Sequence, residues 1–172
     1  MHSRLLLSLA CLAILVAGCG NEKSASEDSS QDSGKPPENM CEAVAPAVPK
    51  DWGLTKKSAD KSMAKTNCTL ADESGRTTLV VTVQKPKSGS SVDDAFKKLC
   101  DFYIANPQER SDEECTQTGP IKLEGSPAQM QRGVRLEKPE AVLWMSFRTN
   151  NPDVAAQAEG VLDDVEDAVS QK

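Results

Sequence analysis

The chain has 172 residues, with 20 Lys and Arg against 26 Asp and Glu, a net charge of −6 and only 3% aromatic residues. An acidic chain of this composition is repelled by phosphate backbones, which argues against nucleic-acid binding. Its single histidine is His2, so whatever removes the start of the chain also removes its only imidazole.

That start is built for export. Arg4 precedes an apolar run from Leu5 to Ala17, a charged n-region and an h-region of signal-peptide length, too short to cross a bilayer easily. Leu15-Val16-Ala17-Gly18-Cys19 closes the run with small residues before a cysteine, and no Ala-x-Ala site stands at its end. This is the pattern of a bacterial lipobox. Residues 1–18 are expected to leave as a lipoprotein signal peptide, with Cys19 lipidated and carrying the two acyl chains that stable anchoring needs. The expected location is the outer face of a bacterial cell membrane, with the membrane as a partner through the anchor. Cleavage leaves 19 basic residues against 26 acidic ones, a charge of −7, and no histidine. Ser-His and Cys-His catalysis and His-ligated metal centres are then excluded.

Residues 19–40 are rich in Ser, Glu, Asp and Lys and carry Lys35-Pro36-Pro37. They read as a flexible tether. Residues 41–172 read as a single extracytoplasmic domain. Asn39 is expected to cap a short helix over Cys41–Ala45, which Pro46 and Pro49 limit. After Trp52-Gly53, residues 66–71 and Thr77–Gln84 are predicted strands of a hairpin that turns at Asp72-Glu73-Ser74-Gly75. Lys85-Pro86-Lys87-Ser88-Gly89-Ser90 ends the second strand. Ser91-x-x-Asp94 is a capping pattern, and Val92, Phe96, Leu99, Cys100 and Tyr103 recur at helical spacing until Asn106-Pro107. Gln108–Glu114 reads as a polar loop before Cys115.

Three further strands are predicted: Ile121–Glu124, Ala128–Glu137 and Ala141–Thr149, with Lys138-Pro139-Glu140 turning between the last two. Asn151 as cap and Pro152 at the first helical position open a terminal helix. Its apolar stripe is Val154, Ala158, Val161, Leu162, Val165 and Ala168. The fold class that follows is α+β, an antiparallel sheet of about five strands with one helix between its halves and a C-terminal helix.

Cys41, Cys68, Cys100 and Cys115 form an even set in an oxidising compartment, which predicts two disulfides. Four cysteines allow three connectivities, and the neighbouring pairs Cys41–Cys68 and Cys100–Cys115 each close a local loop. No Cys-x-x-Cys spacing occurs, so a metal site is not expected. No cofactor is expected either.

A Pro49-Lys50-Asp51-Trp52 segment, a hairpin, a helix opening Ser91-Val92-Asp93-Asp94, and a strand into Leu123-Glu124-Gly125-Ser126-Pro127-Ala128 come in that order, before two strands and a terminal helix. Together they resemble the PsbP-like α/β/α sandwich and actinobacterial lipoproteins of the LpqN type, over residues 41–172. Gly125-x-Pro127-Ala128 carries most of the likeness, and the four cysteines depart from it. Cysteine-paired actinobacterial lipoproteins of unknown function are an equally close comparison. The resemblance implies a non-catalytic binding or accessory domain, with no active-site residues to carry over.

Four groups of side chains could make a site. Asp163, Asp164, Glu166 and Asp167 crowd the end of the last helix, where carboxylates oppose its dipole; a solvated face accounts for them. Asp112-Glu113-Glu114 reads the same way, with no calcium-loop pattern. Trp52, Trp144 and Tyr103 could line a groove, although a chain this poor in aromatics needs them for its core. Ser88-Gly89-Ser90-Ser91 could cradle an anion at a helix start, with a capped surface loop as the simpler account. Asn67-Cys68-Thr69 matches a glycosylation triplet inside a strand, of no general use to a bacterial chain.

The expected function is therefore non-enzymatic. It is either a module holding a small apolar molecule or lipid, or one that docks an envelope protein through its acidic surface. A hydrolase of wall glycans working with carboxylates alone is the third reading.

Overall fold

The computed structural model describes residues 37–104, 107–119 and 127–170. The lipobox, Cys19, most of the tether and the expected strand at Ile121–Glu124 lie outside the described residues, as does most of the segment that carries the family likeness.

Three α-helices and seven strands make up the described fold: α1 (Met40–Val44), β1 (Thr55–Lys61), β2 (Lys65–Ala71), β3 (Thr78–Gln84), α2 (Val92–Lys98), β4 (Glu109–Arg110), β5 (Glu114–Thr118), β6 (Ala128–Leu136), β7 (Ala141–Thr149) and α3 (Pro152–Ser170). All strands lie in one antiparallel sheet in the order β1-β2-β3-β7-β6-β5-β4. The chain first builds β1 to β3 as a meander. It leaves the sheet through α2, returns at the opposite edge as β4, and walks inward by neighbouring strands until β7 pairs with β3. The helix between the halves and the terminal helix are where the sequence puts them. The sheet has seven strands, more than the expected five.

The extra strands have identifiable causes. All seven residues of β1 are exposed, so Thr-Lys-Lys-Ser-Ala-Asp-Lys carries no alternation to read. Its pairing with β2 supplies the order, through a register shift between Lys56 and Ser58. Three lysines on this outer strand also blunt an edge that would otherwise invite a further strand. The segment read as a loop, Gln108–Glu114, instead contains the two-residue β4 and the first residue of β5; β4 is held by pairing to β5, and β5 by pairing to β6.

Alternation along the strands divides the sheet into two faces. One face carries Cys68 and Leu70 of β2, Leu79, Val81 and Val83 of β3, Leu143, Met145 and Phe147 of β7, and Val134 and Leu136 of β6. Against it pack α1 and the stripe Val154, Ala158, Val161, Leu162, Val165 and Val169 of α3. Val169 is buried where the periodicity suggested Ala168, which is only half-buried. Trp52 joins this core with its ring 5.4 Å from that of Phe147. Gly53 ends the turn that carries Trp52 at φ +63°, a left-handed conformation that costs a side-chain-bearing residue energy.

The second face is covered only in part. Helix α2 runs into a π-helical turn, Leu99–Tyr103. Phe96, Leu99, Cys100 and Ile104 from this stretch pack on Cys115 and Val142. The strip over β2 and β3 on this face stays half-buried at Asn67, Thr69 and Val80. The result is three layers with an incomplete third.

Two disulfides tie the helices to the sheet, Cys41–Cys68 from α1 to β2 and Cys100–Cys115 from the π-helical turn to β5. Two local details differ from the sequence reading. Met40, counted there with the tether, opens α1 and is 1% exposed. Asn39 precedes α1 without a side-chain cap; its carbonyl accepts from the N–H groups of Glu42 and Ala43 instead.

Candidate binding cleft

Where the incomplete third layer ends, a cleft of about 320 Å³ opens between α2 and the sheet. Its apolar surface comes from Val142 and Trp144 of β7, Ala95 and Leu99 of the α2 stretch, and Tyr103 at the end of the π-helical turn. Thr82 and Gln84 of β3 form the facing wall. Trp144 lies directly across from Thr82 in the β3–β7 register, so strand pairing sets the width of this wall. Thr82 donates its hydroxyl to Asn67 Oδ1 at 3.1 Å, which turns its polar atom toward β2.

Local sequence explains why α2 stops short of β3. Pro86 and the left-handed Gly89 (φ +82°) take the chain off the sheet after β3. Ser91 then starts the helix with a complete capping box: its hydroxyl accepts from the N–H of Asp94 at 3.0 Å, and Asp94 accepts from the N–H of Ser91. The far end is pinned by Cys100–Cys115. The helix therefore has two fixed ends over β5 to β7, and Ala95, a small residue, faces the gap.

The rim is basic. Lys65, Lys85, Lys87 and Lys98 all line the cleft, and no Asp or Glu among the described residues does. None of the four has an ion-pair partner among the described residues. Trp144 adds an indole N–H that is closed off from solvent and has no acceptor among the described residues.

A second groove, of about 550 Å³ on the other side of α2, is larger but neutralised. There Arg135 pairs with Asp93 at 2.5 Å, and Arg110 and Lys97 both bind Asp101. The hydrogen bond that Arg135 donates to the Asp93 carboxylate raises its affinity for its proton. Hydrogen bonds from Lys97 and Arg110 hold the Asp101 carboxyl below the usual carboxylate range. Paired charges on an open groove need no ligand. The smaller cleft is the one with uncompensated chemistry.

No family model, curated protein or solved structure matches this chain.

The structure separates the aromatic residues singled out from sequence. Trp52 is core, 6% exposed, on the far face of the sheet. Trp144 and Tyr103 come together at the cleft, with Tyr103 67% exposed. The Ser88–Ser91 loop is no anion cradle: the capping box occupies the start of α2, and Asp93 and Asp94 place negative charge there.

The acidic run on α3 is not simply a solvated face. Arg132 of β6, 5% exposed, hydrogen-bonds Asp163 and lies 3.9 Å from Glu166. Glu114 of the Asp112–Glu114 group completes this cluster, with Oε1 3.1 Å from Arg132 Nε. That contact is an ion pair off the line of a hydrogen bond, since Nε has no geometrically sound acceptor. Among the described residues, no group of three or more His, Cys, Asp or Glu is arranged to hold a metal ion, and no helix is long and apolar enough to cross a membrane.

Asp72 is held below the usual carboxylate range. Burial pushes it up, but the Ser74 hydroxyl and the N–H groups of Thr77, Arg76 and Gly75 together pull it further down. With Asp101 it moves in the direction opposite to that of a general acid, which needs a raised carboxyl.

The lysine rim was not legible in the sequence. Lys85-Pro86-Lys87 reads as a strand breaker, and Lys65 and Lys98 are far from it and from each other in the chain.

Proposed function

We propose that this chain is a lipid-anchored binding module on the outer face of a bacterial membrane, and that the cleft beside Trp144 holds a small apolar molecule. The observation that carries the reading is a preformed cleft whose apolar surface is built on a strand and a doubly fixed helix. Its volume is at the lower end of the range of small-molecule sites. The lipobox supplies the anchor at Cys19, and the residues between anchor and domain supply the reach. No part of this reading requires catalysis.

Native mass spectrometry on the secreted chain, set against its denatured mass, tests the reading. A bound species lost on denaturation is the expected result, and Ala95→Trp, which fills the cleft from the helix side, should abolish it. A domain that is bare in every preparation overturns the carrier reading and turns the search to an envelope protein partner. Metabolic labelling with palmitate tests the anchor: label should enter the native chain and be absent from Cys19→Ser.

A further inference from the structure

We infer that the ligand is an amphiphilic anion, a single apolar body such as a ring system or short chain that ends in a carboxylate, phosphate or sulfate. This rests on the carrier reading and adds to it the charge of the cargo. Lys65 opens β2, Lys85 and Lys87 follow β3, and Lys98 closes α2. Three separate stretches of chain thus bring four lysines to one cleft, on a protein whose net charge is −6.

Elsewhere on this domain five cations are paired, while Lys50, Lys56, Lys57, Arg76, Lys138 and Arg148 are scattered without an ion pair among the described residues. Lys61 pairs with Glu38, Lys97 and Arg110 with Asp101, Arg132 with Asp163, and Arg135 with Asp93. What distinguishes the cleft is that four lysines and, among the described residues, no acid line one opening. Charges of one sign around a low-dielectric wall focus the potential into the cleft and draw in an anion. Lysine stems can lie along the apolar wall while their heads stay in water. Their point charges suit a carboxylate, phosphate or sulfate alike, where an arginine fork would favour a matched planar geometry. The volume sets the size: at roughly 30 Å³ per water, the cleft holds about ten waters. That is room for one ring system or a short chain and too little for a two-chain lipid.

The test uses two fluorescent probes with the same aromatic body, anionic 1-anilinonaphthalene-8-sulfonate and uncharged N-phenyl-1-naphthylamine. They are titrated into the mature chain carrying Cys19→Ser, so that no acyl chain competes for the cleft. The anionic probe should bind at least about tenfold more tightly. Replacing Lys65, Lys85 and Lys98 together by Gln should cost it roughly tenfold and leave the neutral probe unchanged. Raising salt to about 0.5 M should act in the same direction. Equal affinities, indifferent to the lysines, would overturn the anion preference and leave an apolar carrier standing. If neither probe binds, the carrier reading fails and this inference fails with it. Binding to phosphatidylglycerol vesicles but to neither probe would also overturn the inference, by moving the lysines' role to a lipid surface.

Discussion

Arg132 of β6 is 5% exposed, and it hydrogen-bonds the carboxylate of Asp163 on α3, which is 62% exposed on its side chain. A buried cation is thus satisfied by acids that remain partly in water. Glu166 and Glu114 flank the same guanidinium, so one arginine offsets the mutual repulsion of three carboxylates and ties α3 to the sheet. Removing it does two kinds of damage: the long stem no longer packs, and the acids face one another uncompensated. Arg132→Ala should cost about 2–3 kcal/mol in urea unfolding. Arg132→Met keeps the packing and should cost about 1 kcal/mol, because exposed partners contribute little to a pair's net strength. Equal losses for the two variants would show that the charge matters more than the stem.

Gly133, the neighbour of Arg132, points to the opposite face, where a side chain has no room. A Cβ there would lie 2.7 Å from Leu99 Cδ2 and 3.0 Å from both Cys115 Sγ and Ile104 Cδ1. Those three atoms belong to the wall that carries α2, and one is locked in a disulfide. Gly133→Ala should therefore destabilise the domain by about 1–3 kcal/mol through overpacking, even though alanine is the better strand former. Differential scanning calorimetry would detect the fall in Tm. An unchanged Tm would mean that the π-helical turn yields more easily than its packing suggests.

Loss of a disulfide should have different consequences for the two bridges. Cys100–Cys115 closes a separation of 15 residues and Cys41–Cys68 one of 27. The loop-entropy estimate puts their contributions at about 3 and 3.5 kcal/mol. The double variant Cys100→Ala/Cys115→Ala also frees the helix end beside Leu99 and Tyr103, so it should weaken probe binding at the cleft. Cys41→Ala/Cys68→Ala, on the far face, should lower stability and leave binding in the surviving folded fraction unchanged. Mass spectrometry before and after reduction would count the bridges directly.

Acid sensitivity has two named sources. Asp101 and Asp72 both have carboxyls held below their usual range in the folded chain. A depressed carboxyl stabilises the fold fully above its unfolded value, about 3.9, and the stabilisation is lost as pH falls through the lower, folded value. Stability should thus be flat with respect to these two groups from neutral pH to about 5 and decline below about 4. In Asp72→Asn/Asp101→Asn the acid limb should be shallower, with a lower plateau at neutral pH. An acid limb identical to the parent's would assign the decline to other carboxyls.

Some of this fold was legible because its signals are local. The β2–β3 hairpin follows from β-branched runs on either side of Asp72-Glu73-Ser74-Gly75. The start of α2 follows from Ser91 and Asp94, and that of α3 from Asn151, whose Oδ1 accepts from the N–H of Asp153 at 2.9 Å. The number of disulfides follows from the even set Cys41, Cys68, Cys100 and Cys115. Each of these depends on residues a few positions apart, or on composition.

What only the tertiary structure decided depends on residues brought together from far apart. Strand β1 has no pattern of its own and exists because β2 offers it backbone partners. Nothing in Gln-Met-Gln-Arg-Gly-Val sets Arg132 apart as buried; α3 packing over β6 makes it so, and the acids on that helix make it tolerable. The strand order that joins β3 to β7 lays Trp144 against Thr82, and the crossover through α2 brings Lys98 to the side of Lys65 and Lys85. By itself the sequence determined the cysteine pairing and most of the elements, because periodicity and capping act over one or two turns of chain. The cleft, its lysine rim and the buried arginine arise from sheet order and helix coverage, which no stretch of neighbouring residues encodes.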